Sequence, residues 1–374
     1  MVSIEFDVQP DPLHAGSRAF TMAPLGVTPA DLALVVSSLR APGFGPANFT
    51  IDYYLRTVIL ALDYGSSGQS FELAIERENL DLRRVVSEAF GAAAGALLLN
   101  RDLGADWRTM VQIDGRHLRR LPGRWRRRRP DILCRTPVGT VLLECKGTTS
   151  VSSVTGMLER AYRQVKYARL RRGRISGRYL TCTYVPLAGD GYVPTLWVGD
   201  PEGPEPEGES FEIDERVVDK ALWQHYARVA NMAGLERLAG LLWKRSGEQD
   251  GPLVPESEVE RELELAEERM LEFNNRRLIA RTIEIPILPS RIPSGSRCPR
   301  YIVSIGLDNE VAHRLKEGAD REVRRETNSI REVRQDLRAF FRDGAGIIIN
   351  ARSEEGDLDP RSWWTFEASN SRLA

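Results

Sequence analysis

The chain has 374 residues and a formal net charge of −1, since 52 basic residues almost balance 53 acidic ones. Its length predicts two or three domains, and its hydrophobic fraction of 42% is enough to bury a core. The longest apolar run, residues 90–99, is too short for a membrane span, the first residues lack the pattern of a secretory signal, and four scattered cysteines argue against a disulfide framework. We therefore expect a cytoplasmic protein that does not contact a membrane.

The pattern of residues 1–75 predicts a small mixed α/β segment. Strands are predicted over 3–8 and 49–62, where β-branched and aromatic residues are frequent. A helix is predicted over 28–39, because Pro29 occupies a typical first helical position. We treat these elements as one N-terminal segment.

Residues 76–198 are predicted to form the α/β core of the protein. Apolar residues recur at helical spacing over 82–100, Asn79 or Asp81 could be the N-cap, and Gly104 lies just beyond the end of the pattern. Strand, loop, hairpin, helix and strand patterns follow over 110–186. This alternation of elements favours an α/β domain.

The acidic Pro/Gly stretch at 199–215 has little to bury and is predicted to be a linker or an exposed loop. Residues 216–374 follow as a C-terminal region that is either α/β or mostly helical. This region either folds by itself or packs on the core, and its role is unassigned. Helices are predicted over 212–243, 256–280 and 320–342, and strands over 301–307 and 346–350.

Charge is distributed unevenly along the chain. Residues 101–180 hold 20 basic and 6 acidic residues, a net charge of +14, so the remainder carries −15. A basic segment is typical of a protein whose partner has a phosphate backbone, and a solvated basic face is the alternative for its Arg run. The candidate nucleic-acid-binding residues are Arg124, Arg126, Arg127, Arg128, Arg129 and Lys166.

The most informative passage is residues 129–147, where two apolar runs flank Thr136-Pro137-Val138-Gly139. This pattern predicts a β-hairpin with a four-residue loop. If Arg135 pairs with Thr140, the residue numbers of all paired positions sum to 275. The hairpin register is therefore a specific prediction of the sequence.

That register places Asp131 directly across from Glu144. Because side chains alternate along a strand, Asp131, Glu144 and Lys146 all project from one face. Like charges directly opposite each other destabilise a sheet, and a divalent cation bridging the two carboxylates is the natural offset. The Lys could position or deprotonate a water there, or balance charge on a phosphate. The chain has 5 Lys against 47 Arg, and Lys146 alone among the Lys follows an acidic residue by two positions, which favours a chemical role.

Pro130-Asp131, then twelve residues, then Glu144-Cys145-Lys146 after an apolar strand resembles the motif of the PD-(D/E)XK nuclease superfamily, which has the restriction-endonuclease-like fold. The resemblance implies that Asp131 and Glu144 bind Mg²⁺ or Mn²⁺. It also implies that Cys145 lends its backbone carbonyl to the metal and that Lys146 assists the attacking water. The alternative is an ordinary hairpin whose polar residues happen to align.

Two further positions extend the resemblance. Many family members carry a Glu on the first core helix that completes the metal shell, and Glu88 has this place on a helix where Gly91 and Gly95 permit close approach to a sheet. Gln164 matches the Gln of a Gln…Tyr motif in the RecB-like branch, although Tyr167 follows it by three positions where the family has four. An ordinary solvent-facing Glu and a packing Tyr are the alternatives.

We therefore expect an α/β protein whose restriction-endonuclease-like αβββαβ core, with a mixed central sheet, maps onto residues 80–186. The expected activity is Mg²⁺-dependent hydrolysis of phosphodiester bonds in DNA, by endonuclease rather than exonuclease action, in a setting such as antiviral defence or repair in a prokaryote. The alternative is a nucleic-acid-binding or scaffold subunit of a larger complex. The C-terminal region is the candidate surface for a partner protein or for a second copy of the chain.

Charge reversal of residues 126–129 tests the basic segment. We expect the variant to bind DNA more weakly, with the slope of log affinity against log salt reduced by about 0.9 for each phosphate of duplex DNA that the variant no longer neutralises. Titrations of a labelled duplex at several salt concentrations measure this slope. A charge-reversed variant with unchanged affinity and slope would contradict the assignment.

Overall fold

The structure, a computed structural model, describes residues 4–14, 19–40, 79–113, 118–119, 130–171, 173–187, 189–201, 211–213, 216–247, 253–273, 275–286, 300–328, 331–335 and 338–352. The described chain is mixed α/β and contains eight α-helices. It divides into two compact units, with the change between Tyr226 and Ala227. None of the helices in these ranges is long and apolar enough to cross a membrane.

The first unit contains two sheets and the helices around them. Its elements in chain order are β1 (Ile4–Pro10), β2 (Leu25–Val27), α1 (Pro29–Arg40), α2 (Leu80–Leu103), β3 (Val111–Gln112), β4 (Leu118–Arg119), β5 (Ile132–Thr136), β6 (Gly139–Thr148), α3 (Val154–Lys166), β7 (Ala168–Leu170), β8 (Ile175–Tyr184), β9 (Thr195–Gly199), β10 (Phe211–Ile213) and α4 (Arg216–Met232). The last of these helices continues past the unit boundary.

A seven-stranded mixed sheet with the order β2-β1-β9-β8-β6-β5-β3 forms the core of this unit. β6 pairs with β8 in parallel and with β5 antiparallel, and β1 pairs with β9 in parallel. The two N-terminal strands therefore extend the core sheet, whereas the sequence predicted a separate segment over 1–75. The strand predicted over 49–62 lies outside the described residues. A second sheet has the order β4-β10-β7.

The β5–β6 hairpin has the predicted register. Arg135 pairs with Thr140, and every pair of the ladder sums to 275. The connection is shorter than predicted, because Thr136 and Gly139 themselves pair and leave only Pro137 and Val138 in the turn. Gly139 has a φ of 123°, which an L side chain rarely adopts, and this conformation lets the strand begin directly after the turn.

The helix α2 has the predicted caps and lies directly on β6. The Asn79 side chain accepts a hydrogen bond from the Leu82 N–H, and Gly104 closes the helix in the left-handed conformation. A Cβ on Gly91 would lie 2.7 Å from the Lys146 carbonyl oxygen, and a Cβ on Gly147 would overlap the Ser87 carbonyl. The two backbones therefore touch at the strand end that carries the candidate motif.

The second unit contains a six-stranded antiparallel sheet with the order β11-β12-β13-β16-β15-β14. Its elements are α5 (Glu236–Arg245), α6 (Glu256–Ala266), β11 (Met270–Phe273), β12 (Arg276–Pro286), β13 (Arg300–Asp308), α7 (Asn309–Glu317), α8 (Asp320–Asn328), β14 (Val333–Gln335), β15 (Arg338–Phe340) and β16 (Ala345–Arg352). The strands predicted over 301–307 and 346–350 are confirmed. The C-terminal region is thus α/β, and its mostly helical alternative is wrong.

Two predicted helices of the second unit are too long. The helix predicted over 256–280 ends at Ala266, because residues 270–273 and 276–286 form a hairpin across Asn275, which has a φ of 62°. The helix predicted over 320–342 ends at Asn328 and two short strands follow. In both cases pairing within a β-hairpin, of β11 with β12 and of β14 with β15, outweighs a local sequence preference for helix. The helix predicted over 212–243 is broken at Gly234 between α4 and α5.

The substitution Gly147→Ala tests the contact between α2 and β6. The added methyl group would overlap the Ser87 carbonyl, so we expect the free energy of unfolding to fall by about 3 kcal/mol. Gly156→Ala on the exposed surface of α3 is the control. Its Cβ would meet nothing within 4 Å, and we expect it to stabilise the protein by about 0.5–1 kcal/mol. Urea unfolding measures both, and equal effects of the two substitutions would contradict the argument.

Candidate active site

The β6 strand directs its motif side chains toward two different helices. Glu144 lies beside Leu180 and Lys146 beside Cys182 in the parallel ladder with β8. Both β8 side chains pack in a cluster with α3, so the Glu and the Lys of the motif face α3. Cys145 faces α2 instead, where a Cβ on Gly95 would lie 2.7 Å from its Sγ. The predicted common face of Glu144 and Lys146 is therefore confirmed.

Asp131 lies just before β5 and binds the backbone of β6. Its Oδ2 accepts a hydrogen bond of 2.9 Å from the Cys145 N–H, and its own N–H donates to the Leu143 carbonyl at 3.1 Å. In an extended strand the N–H and C=O of one residue point to the same side. The carbonyl of Cys145 therefore leaves β6 on the side where Asp131 lies, as the implied metal role of this carbonyl requires.

Glu144 and Lys146 form a largely buried ion pair. The Glu144 side chain is 0% exposed, that of Lys146 is 22% exposed, and the Lys146 Nζ contacts Glu144 Oε1. Burial lowers the pKa of Lys146, and Arg160 lowers it further, while the negative charges of Asp131 and Glu88 oppose this. Part of the predicted carboxylate repulsion is therefore offset within the chain, by the Lys ammonium and by the Cys145 N–H.

A pocket of about 590 Å³ opens between the start of α2, the end of β6 and α3. We call it the motif pocket. Its lining residues are Leu80, Arg83, Arg84, Ser87, Glu88, Asp131, Cys145, Lys146, Gly147, Thr148, Thr149, Ser150, Ser153, Met157, Arg160 and Gln164. Four candidate catalytic residues thus meet in one cavity: Glu88 from α2, Asp131 and Lys146 from the hairpin, and Gln164 from α3. Glu144 is not among the lining residues and lies beneath the Lys146 side chain.

The motif offers two carboxylates, those of Asp131 and Glu144, as possible ligands of a divalent cation. Within the described ranges, no group of three or more His, Cys, Asp or Glu side chains is close enough to hold a metal ion. Mg²⁺, however, commonly uses only one or two carboxylates and completes its shell with water and phosphate oxygens. Glu144 Oε2 is buried and accepts no hydrogen bond from the described residues, which is the type of orphaned oxygen that a cation satisfies. The residues present therefore fit a two-carboxylate site.

Glu88 stands at the rim of the motif pocket, on the exposed surface of α2. Its Oε1 lies 3.8 Å from the Nε of Arg84, in an ion pair between two solvent-exposed side chains. Gln164 lines the opposite wall from α3. Both residues are therefore at the predicted location, and Glu88 is not grouped with the other two carboxylates.

The other predicted residues lie away from this pocket. Lys166 does not line it, and its Nζ lies 5.1 Å from the centre of the Tyr162 ring. A hydrogen bond to Tyr162 raises the pKa of Lys166. Tyr167 packs on the core cluster around Leu133, which supports its packing role. The Arg residues at 124 and 126–129 lie outside the described residues.

Sequence reasoning missed three Arg side chains of the motif pocket: Arg83, Arg84 and Arg160. A signal for two of them was present. Arg84 precedes Glu88 by four positions and Arg160 precedes Gln164 by four, the spacing that places two side chains on one helix face. Arg83 has no such signal, because its position depends on the contact of α2 with the loop after β6.

The comparisons with known proteins add no relative. No family model, no curated protein and no solved structure matches the chain. The function of this chain is therefore inferred from its motif and from the geometry of the site.

A double-mutant cycle tests the Glu144–Lys146 pair. Lys146→Met leaves a carboxylate buried without its partner, and we expect the free energy of unfolding to fall by about 3 kcal/mol. Adding Glu144→Gln removes the uncompensated charge and should restore much of this loss. Lys244→Met, which alters an exposed Lys, should change stability by less than about 1 kcal/mol. Chemical unfolding measures these variants and the single substitution Glu144→Gln, and additive effects of the two motif substitutions would show that the pair is not coupled.

Proposed function

We propose that this chain is a metal-dependent nuclease that hydrolyses phosphodiester bonds, with DNA as the expected substrate. The observation that carries the proposal is the meeting of Asp131, Lys146, Glu88 and Gln164 in the motif pocket, with Glu144 directly beneath Lys146. These residues come from a hairpin and from the helices before and after it, and the resemblance to the PD-(D/E)XK superfamily named all five of them. A chance alignment of polar residues on a hairpin would not bring two helix residues to the same cavity.

The order of elements around the pocket supports the same proposal. In chain order α2, β3, β5, β6, α3 and β8 form an αβββαβ series, with the motif on the β5–β6 hairpin. The sheet is mixed, because β6 runs antiparallel to β5 and parallel to β8. This is the arrangement that the resemblance implies for a restriction-endonuclease-like core. The short strands β4 and β7 belong to the smaller sheet and do not interrupt the series.

The proposed metal ligands are the carboxylates of Asp131 and Glu144 and the carbonyl of Cys145, with Glu88 as a further candidate. A bound Mg²⁺ or Mn²⁺ would supply charge neutralisation at the phosphate and a more acidic water. Lys146 would hold the attacking water or a phosphate oxygen by hydrogen bonds from its ammonium group. Gln164, whose amide both donates and accepts, would orient the same water or an adjacent phosphate oxygen.

A second candidate function is nucleic-acid binding without chemistry, within a larger complex. The observation in its favour is the Glu144–Lys146 contact. Because Glu144 already has a partner within the chain, its role can be purely structural. Intact acids together with an intact Lys favour the nuclease over this alternative.

Cleavage assays with plasmid, linear duplex, single-stranded DNA and RNA test the nuclease proposal. We expect cleavage in Mg²⁺ or Mn²⁺, none in EDTA, and a loss of at least about 100-fold in Asp131→Asn and in Lys146→Met. Lys244→Met is the matched control, because it removes an exposed Lys outside the motif pocket and should retain full activity. Circular dichroism of each variant verifies that it is folded.

The outcomes separate the two candidate functions. Nucleic-acid binding with no metal-dependent turnover on any of the four substrates would favour the binding subunit. Cleavage that persists at the wild-type rate in folded Asp131→Asn would contradict the assignment of the site.

A further inference from the structure

Basic side chains outnumber acidic ones in the lining of the motif pocket. Arg83, Arg84, Arg160 and Lys146 face the acids Glu88 and Asp131, a net charge of +2 for the lining. We propose that Arg160 and Arg83 form a subsite for a backbone phosphate of the nucleic-acid strand, next to the phosphate held at Lys146. The identity of the ligand rests on the proposed function, whereas the cationic subsite itself does not.

Arg160 is a cation without an acidic partner. It is exposed on α3. The neighbouring Glu159 forms an ion pair with Arg163, with 3.9 Å between Glu159 Oε2 and Arg163 Nη2. Within the described ranges Arg160 forms no ion pair, and it lines the same pocket as the Lys146 ammonium group. Two cations that share one cavity repel each other, and an anion between them relieves the repulsion. The position therefore favours a negatively charged ligand.

Arg83 is held in place by the loop that follows β6. Its Nε and Nη2 both donate to Thr149 Oγ1, at 2.9 and 2.8 Å. A guanidinium that is already fixed loses less conformational entropy when it binds a phosphate oxygen. The same wall of the pocket carries the hydroxyl groups of Ser150 and Ser153, which are frequent ligands of backbone phosphates.

The motif pocket has room for more than a single small anion. Its volume of about 590 Å³ lies well within the range of roughly 300–1,000 Å³ that is typical of small-molecule sites. One phosphate between Lys146 and the metal ligands would occupy only part of this space. A polynucleotide backbone supplies successive phosphates on one chain, and therefore one anion for each of the two cationic positions.

Salt-dependent binding of labelled oligonucleotides tests the subsite. The measurements use the full chain with Asp131→Asn in EDTA, so that no cleavage occurs. We expect Arg160→Ala to reduce the slope of log affinity against log salt by about 0.7 on single strands and about 0.9 on duplex DNA. Arg163→Ala is the matched control, since it removes an exposed Arg from the same helix outside the pocket, and its slope should be unchanged.

The Arg83 position is tested by two substitutions with different expected signatures. Arg83→Ala removes a phosphate contact and should reduce the slope as Arg160→Ala does. Thr149→Val removes the hydrogen bonds that hold the Arg83 guanidinium but no charge. It should therefore weaken binding and leave the salt slope unchanged. A slope change in Thr149→Val equal to that of Arg83→Ala would contradict the direct contact.

Neutral methylphosphonate linkages, placed one at a time along the oligonucleotide, identify the phosphate concerned. At one position we expect a loss of affinity in the parent protein and no further loss in Arg160→Ala. Equal slopes for Arg160→Ala and Arg163→Ala would overturn the subsite even if the protein cleaves DNA. Conversely, a reduced slope in a protein that cleaves nothing would support the subsite and contradict the nuclease proposal.

Discussion

The site depends on one close contact, where the backbone of α2 lies on the backbone of β6. Ser87 and Gly147 can approach as they do only because Gly147 has no side chain, and Gly91 permits the same approach to Lys146 one turn further along the helix. The contact fixes the height of α2 above the sheet. Because Glu88 follows Ser87 and Lys146 precedes Gly147, it also fixes the distance between the helix wall and the strand wall of the motif pocket.

The Glu144–Lys146 pair connects stability to the proposed chemistry. A fully buried carboxylate is tolerated because the Lys ammonium contacts one of its oxygens, while the other accepts no hydrogen bond from the described residues. A pair of this kind contributes little net stability compared with apolar side chains of the same volume. In the proposed function the pair, which lies beside a polar pocket, therefore serves binding and catalysis more than folding.

The parts of the fold that local physics determines could be predicted from the sequence. The register of the β5–β6 hairpin depends on adjacent residues and a short turn, and the ends of α2 depend on Asn79 and Gly104. The incorporation of β1 into the core sheet could not be predicted, since its partner β9 is almost 190 residues away in sequence. The strand β11 could not be predicted for a different reason, because its hairpin with β12 outweighs the helical preference of the preceding residues.

The residues of the candidate site divide in the same way, into those that local sequence predicts and those that only tertiary packing brings in. Asp131, Glu144 and Lys146 could be predicted because they share one hairpin, whereas Arg83 and Arg160 enter the motif pocket through the packing of two helices. These residues form two sets of like charge, acids at the end of the hairpin and bases around it. Each set is unfavourable by itself, since Asp131 stands near Glu144 and Arg160 acts on Lys146. In the proposed function a divalent cation satisfies the first set and a phosphate backbone the second. Each ligand then reduces the repulsion that the other would meet, so the same arrangement favours binding of the metal and the substrate together.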